Sequence, residues 1–239
     1  MAARRIIRLR KTASTMEEAL AHPAGTVVVA DEQTAGRGRL GRAWHSEPGT
    51  GLYFSYALKP PGEGAGLPIV TLALGLAVQE ALQRVTGVAC DLRWPNDVLL
   101  NEKKCAGILV EMHGEKLVAG VGVNVNQTKF PEALAGIATS LWIETGREHS
   151  REELLEQILE AIDAYCALLA EEGPDAILRL YSRSSSYVSG RRVTVEGAGA
   201  TFEGVTEGLD ARGFLWVRAA GGGRRLVRAG GVRPVRSVK

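Results

Sequence analysis

Short apolar runs broken by polar turns, followed by one long apolar stretch, set the pattern of the first half of the chain. Residues 6–9 are a strand candidate, and the Val-rich residues 25–30 are a second. Between them Ser14 and Thr15 precede Glu17 and Glu18, the arrangement of a helix N-terminus with acids in its first turn. Residues 51–59 alternate as a third strand and residues 67–85 form a long apolar helix. Residues 91–100, 104–113 and 116–124 then read as three more strands joined by tight polar turns.

The second half changes rhythm. Leu154, Leu155, Ile158, Ile162, Tyr165 and Leu169 recur at helical spacing within residues 151–172, and a second helical stretch covers residues 175–182. Ser184-Ser185-Ser186 breaks the period. Residues 191–195, 202–205, 214–218 and 224–227 are short alternating segments separated by glycines, as in a small antiparallel barrel. The expected fold class is therefore α+β: a mixed β-sheet with helices on one face in residues 1–184, and a small barrel in residues 187–239.

Composition narrows the function classes. With 45% hydrophobic and 23% charged residues among 239, the chain can bury a full core and is far from a disordered composition. A net charge of +2 is too small to argue for nucleic-acid binding. Its distribution is uneven: from Tyr187 onward ten Lys or Arg face four Asp or Glu, against nineteen and twenty-three before it. The basic start lacks an apolar stretch of signal-peptide length and no window approaches a membrane span, so the expectation is a cytoplasmic protein with neither membrane nor nucleic-acid partners. Cys90, Cys105 and Cys166 show neither disulfide nor zinc spacing and read as buried thiols, and no metal-ligating cluster is expected.

The most informative stretch is Gln33-Thr34-Ala35-Gly36-Arg37-Gly38-Arg39-Leu40-Gly41-Arg42-Ala43-Trp44. Gly36, Gly38 and Gly41 are expected to take positive φ and bring backbone N–H groups to a ligand, while Arg37, Arg39 and Arg42 offer permanent charge and forked donors for phosphate or carboxylate. Trp44 adds an aromatic face. The spacing is neither a Walker loop nor a dinucleotide fingerprint. An RNA-binding arginine segment and a solvated surface loop are the alternatives, but such RNA-binding segments usually lie in disordered tails, whereas this one sits between two apolar strands.

Followed by Gly49-Thr50-Gly51-Leu52-Tyr53-Phe54-Ser55, this loop resembles the signature of biotin-protein ligases. Three further segments agree in order: Arg93-Trp94-Pro95-Asn96-Asp97, Lys104-Cys105-Ala106-Gly107-Ile108-Leu109-Val110-Glu111 and Gly120-Val121-Gly122-Val123-Asn124-Val125-Asn126, with Ala138-Thr139-Ser140-Leu141 as a weaker fifth. The resemblance implies a class II synthetase-like catalytic fold with an SH3-like C-terminal barrel. It also implies an enzyme that activates biotin with ATP and Mg2+ as biotinyl-AMP and passes it to a lysine of a biotin carboxyl carrier protein.

By the same resemblance, Lys104 contacts the α-phosphate and the biotin carboxylate, and Arg37 and Arg39 close over biotin and the phosphates, with Gly38 allowing close approach and Arg39 retaining the adenylate. The biotin set is Ser14, Thr15, Met16, Gln33, Arg37, Gly38, Arg39, Lys104 and Gly107. The ATP set is Arg37, Arg39, Arg42, Trp44, Lys104 and Asn124, with Trp44 stacking on adenine and Asn124 hydrogen-bonding to it. Arg42 serves either the triphosphate or a surface ion pair. Asp97 either orients or deprotonates the incoming lysine.

The chain departs from the family pattern in two places. Met16 stands where Asn is usual after the Ser-Thr pair, leaving only a backbone contact to carry over. Gly230-Gly231-Val232 has Gly where an acid is common. Ser14 and Thr15 also fit as plain helix caps, and the barrel as a stabilising unit. About ten residues before the Ser-Thr pair leave no room for the DNA-binding domain of bifunctional members, so ligase activity alone is expected. A lipoate or octanoate ligase of the same fold is the rival enzyme, and a biotin or nucleotide sensor the rival without catalysis. A homodimer through a sheet edge is also implied by resemblance.

Overall fold

Nearly every apolar run of the sequence becomes a strand or helix in the computed structural model, which describes residues 4–62, 66–197 and 201–235. In chain order these are β1 (Arg5–Leu9), α1 (Thr15–Leu20), β2 (Thr26–Ala30), β3 (Leu52–Leu58), α2 (Leu67–Thr86), β4 (Asp91–Arg93), β5 (Asp97–Leu100), β6 (Lys103–His113) and β7 (Lys116–Val123). Then follow α3 (Glu132–Ala135), α4 (Leu141–Thr145), α5 (Arg151–Glu172), α6 (Pro174–Ser184), β8 (Ser189–Glu196), β9 (Phe202–Leu209), β10 (Leu215–Ala219), β11 (Arg224–Val227) and β12 (Gly231–Pro234).

The first seven strands form one mixed sheet in the order β1-β2-β3-β7-β6-β5-β4, with β1 and β2 parallel and the other neighbours antiparallel. Its two faces differ. Val27, Val29, Phe54, Ala119, Val121, Ala106 and Ile108 join the large core under the long helices α2, α5 and α6. Val28 and Val118 point the other way and pack with Met16 and Ala19 of α1. Covered on both sides, β2 is buried at all five residues, which explains its unbroken apolar sequence. The long helices therefore lie on the face expected of them, and the short α1 lies on the other, where the candidate site is.

Local chemistry sets the ends of these helices. Gly87 stops α2 in the left-handed conformation at φ 72, and the Ser150 hydroxyl accepts from the Glu153 N–H at the start of α5. Residues 91–100, expected as one strand, are a hairpin instead. β4 and β5 pair Arg93 with Asp97 around the turn at 94–96, because Pro95 has no N–H to continue a ladder.

The last five strands form an antiparallel sheet in the order β11-β10-β9-β8-β12. β12 lies beyond the last alternating segment expected in the tail, and its pairing with β8 comes from backbone register that side-chain pattern does not encode. This sheet is fastened to the main one. The Trp94 indole N–H donates to the Gly213 carbonyl at 2.9 Å, the Ser185 hydroxyl to the Leu92 carbonyl at 2.6 Å, and the Ser186 N–H to Asp91 at 2.9 Å. Val193, Val195, Leu215 and Val217 share one core with Leu72 and Leu92. No helix of the described residues is long and apolar enough to cross a membrane.

Candidate active site

The Gly-Arg stretch folds as a small hairpin over the α1 face of the sheet. Trp44 N–H donates to the Gly36 carbonyl at 2.8 Å and Gly38 N–H to the Arg42 carbonyl at 2.7 Å, and a short 3-10 turn at Arg39–Gly41 makes the tip. Of the three glycines expected at positive φ, only Gly41 is there, at 71; the other left-handed residue is Leu40, at 58. Gly36 and Gly38 are instead favoured by crowding. A Cβ at 36 would stand 3.0 Å from the Trp44 carbonyl oxygen, and one at 38 would stand 3.3 Å from that of Arg42.

Beneath the hairpin the sheet is bare. Gly107 of β6 and Gly122 of β7 are cross-strand partners, and the Trp44 indole lies on them: a Cβ at 122 would fall 2.4 Å from its ring, and one at 107 would fall 2.9 Å from both the ring and the Lys104 amine. Side chains of any size there would exclude the indole. Its N–H is buried without a partner among the described residues, and the Lys104 ammonium sits 5.2 Å from the ring centre.

An inner pocket of about 50 Å³ lies at the α1 end, bordered by Ser14, Thr15, Met16, Gln33, Arg37, Gly38, Arg39, Lys104 and Gly107 among others. All nine residues assigned to biotin by resemblance meet there. A chain of hydrogen bonds organises its polar wall. Gln33 Oε1 accepts from the Thr15 N–H at 2.8 Å and hydroxyl at 3.0 Å, Gln33 Nε2 donates to Ser46 at 3.3 Å, and the Thr15 and Ser55 hydroxyls are 2.7 Å apart. Ser14 occupies the N-cap position of α1 but makes no side-chain cap bond, so helix capping does not account for its hydroxyl. Met16 is buried against Gly120 and Val118 and supplies an apolar wall where the usual Asn would be polar.

Lys104, Arg39, Gly38, Trp44 and Asn96 border both this pocket and a groove of about 920 Å³ that runs out between the sheet and the C-terminal strands. Lys104 is held by Asp97 at 2.5 Å, and Arg93 holds the other oxygen of the same carboxylate at 2.7 Å. Burial alone would raise the Asp97 pKa, but the two cations prevail and keep it below the usual carboxylate range. A carboxylate so engaged orients Lys104 and is a weak proton acceptor. Burial lowers the pKa of Arg39, whose guanidinium donates to the Gly230 carbonyl at 2.9 Å and to Asn96 at 3.4 Å.

Other expected residues are placed differently. Asn124 lines the groove, but its amide N–H group is committed to the backbone carbonyls of Thr139 at 2.9 Å and Lys104 at 3.4 Å, so only its side-chain oxygen remains for a ligand. Arg42 pairs with Glu196 at 3.2 Å, and Arg37, half-exposed at the rim, is loosely paired with Glu17 and Glu111 at 3.7 and 4.0 Å. Sequence assigned no site role to Ser55, Asn96, Gly230 or Glu196. Ser55 and Asn96 lay within quoted motifs, Gly230 was noted only as a departure from the family pattern, and Glu196 carried no signal; the last strands bring the latter two in.

A mixed sheet with a cationic hairpin and a lysine poised between two cavities is a site suited to bringing two anionic ligands together. Residues 5–128 match the Biotin/lipoate A/B protein ligase family and residues 188–232 match the Biotin protein ligase C terminal domain; the chain belongs to this family. Within it, the similarities point to the biotin branch. The biotin--[acetyl-CoA-carboxylase] ligase of Paracoccus denitrificans is 33% identical over 92% of this chain and 97% of its own. The bifunctional ligase/repressor BirA of Bacillus spizizenii is 36% identical over 87% of this chain, which spans 66% of that relative's length. Among solved structures, the Aquifex aeolicus biotin protein ligase in complex with biotin and ATP superposes with a TM-score of 0.87 at 36% identity, covering 98% of this chain and 100% of the other.

Proposed function

We propose that this protein is a biotin-protein ligase. It joins biotin to ATP as biotinyl-5'-AMP and then transfers the biotinyl group to a lysine of a biotin carboxyl carrier domain of a biotin-dependent carboxylase. The observation that carries this reading is the convergence of the acid pocket and the nucleotide groove on Lys104 and Arg39. An oxygen of the biotin carboxylate attacks the α-phosphorus, the bond to the bridging oxygen of the β-phosphate breaks, and pyrophosphate leaves. The acceptor amine then attacks the acyl carbon, loses a proton, and AMP leaves.

Each residue has a physical task in this scheme. Ser14, Thr15 and Gln33 present hydrogen-bonding groups to the ureido end, beside the apolar wall that Met16 supplies. Lys104 and Arg39 bring a carboxylate and a phosphate together and stabilise charge that develops between them. Asp97 keeps Lys104 aimed at that point. Trp44 offers its face, and Asn124 its side-chain oxygen, to adenine.

Among the described residues no group of three or more His, Cys, Asp or Glu is arranged to hold a metal, and Asp97 is already engaged by two cations. Mg2+ would therefore be held mainly by the phosphates. We place the enzyme in the cytoplasm. A homodimer would form through the outer sheet edge at β1, since β4 is engaged by Ser185 and Ser186.

Pyrophosphate release from Mg-ATP, compared with biotin, lipoate, octanoate and no acid, tests this function. Release with biotin alone is expected, and Lys104→Ala should lower it by about a hundredfold or more with the fold intact. Release with lipoate or octanoate in preference to biotin would move the protein to the other branch of the family. No release with any acid would leave a binding protein.

A further inference from the structure

The hairpin tip is not held by apolar burial: none of its residues Arg39–Gly41 is buried, and Leu40 is 59% exposed. It is held at one corner of the C-terminal sheet. There Glu196 ends β8 and faces Gly231 of β12 across the ladder. One oxygen of Glu196 takes Arg42 of the hairpin at 3.2 Å and Arg233 of β12 at 3.1 Å. Beside it the Gly230 carbonyl accepts from Arg39. Gly230 has φ 97, and a Cβ there would lie 2.0 Å from the Glu196 carbonyl oxygen, so the corner admits only glycine and the carbonyl's direction is set. Arg42, Glu196, Gly230 and Arg233 all border the large groove.

We infer that Glu196 is a positioning residue for the nucleotide half of the reaction: it holds the hairpin against the C-terminal sheet through Arg42 and keeps Arg42 and Arg233 together on the groove wall, facing the polyphosphate. This rests on the proposed ligase activity. An isolated exposed ion pair does little. Here one carboxylate joins two guanidiniums from segments 191 residues apart in sequence, counting 42 to 233, which would otherwise repel each other. The neighbouring tie from Arg39 to the Gly230 carbonyl does not use this carboxylate, so loosening Glu196 releases the hairpin at Arg42 and leaves Arg39 as its remaining tie to the corner. The residues that grip the acid, Ser14, Thr15 and Gln33, lie at the far end of the inner pocket and do not touch this corner.

Glu196→Gln and Glu196→Ala, compared with the wild-type chain, test the inference by two independent readouts. In limited trypsin digestion, cleavage after Arg37, Arg39 and Arg42 should accelerate about threefold to tenfold in both variants, and added salt should move the wild type towards them. In pyrophosphate release, KM for Mg-ATP should rise by a similar factor, with KM for biotin and the circular dichroism spectrum unchanged. Unaltered cleavage and KM for Mg-ATP would overturn the inference, as would an equal rise in both KM values. If the wild type releases no pyrophosphate with biotin, the proposed activity falls, while the cleavage arm still decides whether Glu196 holds the hairpin.

Discussion

Lys104 and Asp97 illustrate how a motif residue becomes a site residue. Their side chains are 29% and 16% exposed, and the carboxylate, shared with Arg93, is held below its ordinary pKa of about 4 despite burial. Since the folded-state value is depressed, the carboxylate adds stability that is present above the unfolded pKa and is lost as pH falls through the folded one. The stability advantage of wild type over Asp97→Asn, followed by urea midpoints, should therefore be full at neutral pH and shrink below about pH 4. A gap independent of pH would contradict it. Lys104 and Arg39 were singled out by the resemblance of their segments to one family's motifs, and Asp97 as the nearby carboxylate within such a motif. Ser55 was not: a serine in an apolar strand looks like any other until Thr15 is placed 2.7 Å from it.

Among the elements, β6 and β7 do the most to shape the site. Their glycines at 107 and 122 are opposite one another and leave a floor for Trp44. Gly122→Ala should push the indole off that floor. Loss of about tenfold in Mg-ATP affinity, with a shifted tryptophan emission and destabilisation of about 1–3 kcal/mol, is the expected result. Unchanged affinity and emission would show that the indole has another seat. The strands and long helices could be read from periodicity, since each buries one continuous face. The division of 91–100 into two strands does not show in the periodicity, since Leu92 and Val98, Leu99 and Leu100 are buried on either side of it; only the polar turn at Pro95-Asn96 marks it.

For the whole molecule, the decisive feature is the joint between the two sheets. Trp94, 3% exposed, ties the β4–β5 turn to Gly213, and the core runs on without a break beneath it. Trp94→Phe leaves the Gly213 carbonyl without its donor and should cost about 1–3 kcal/mol in urea unfolding, with both sheets lost in one transition. A separate early transition of the C-terminal sheet would refute that coupling. The sequence by itself determined the long helices, most strands and the α+β class, because burial periodicity is a local property, and the chemistry was read from the resemblance of its motifs, in order, to one family. Only the tertiary structure decided that Gly230 and Glu196 belong to the site, that Asn124 commits its amide to the backbone, and that α1 lies opposite the long helices. These depend on contacts between segments far apart in sequence, where backbone register and the second sheet's docking determine which polar groups meet.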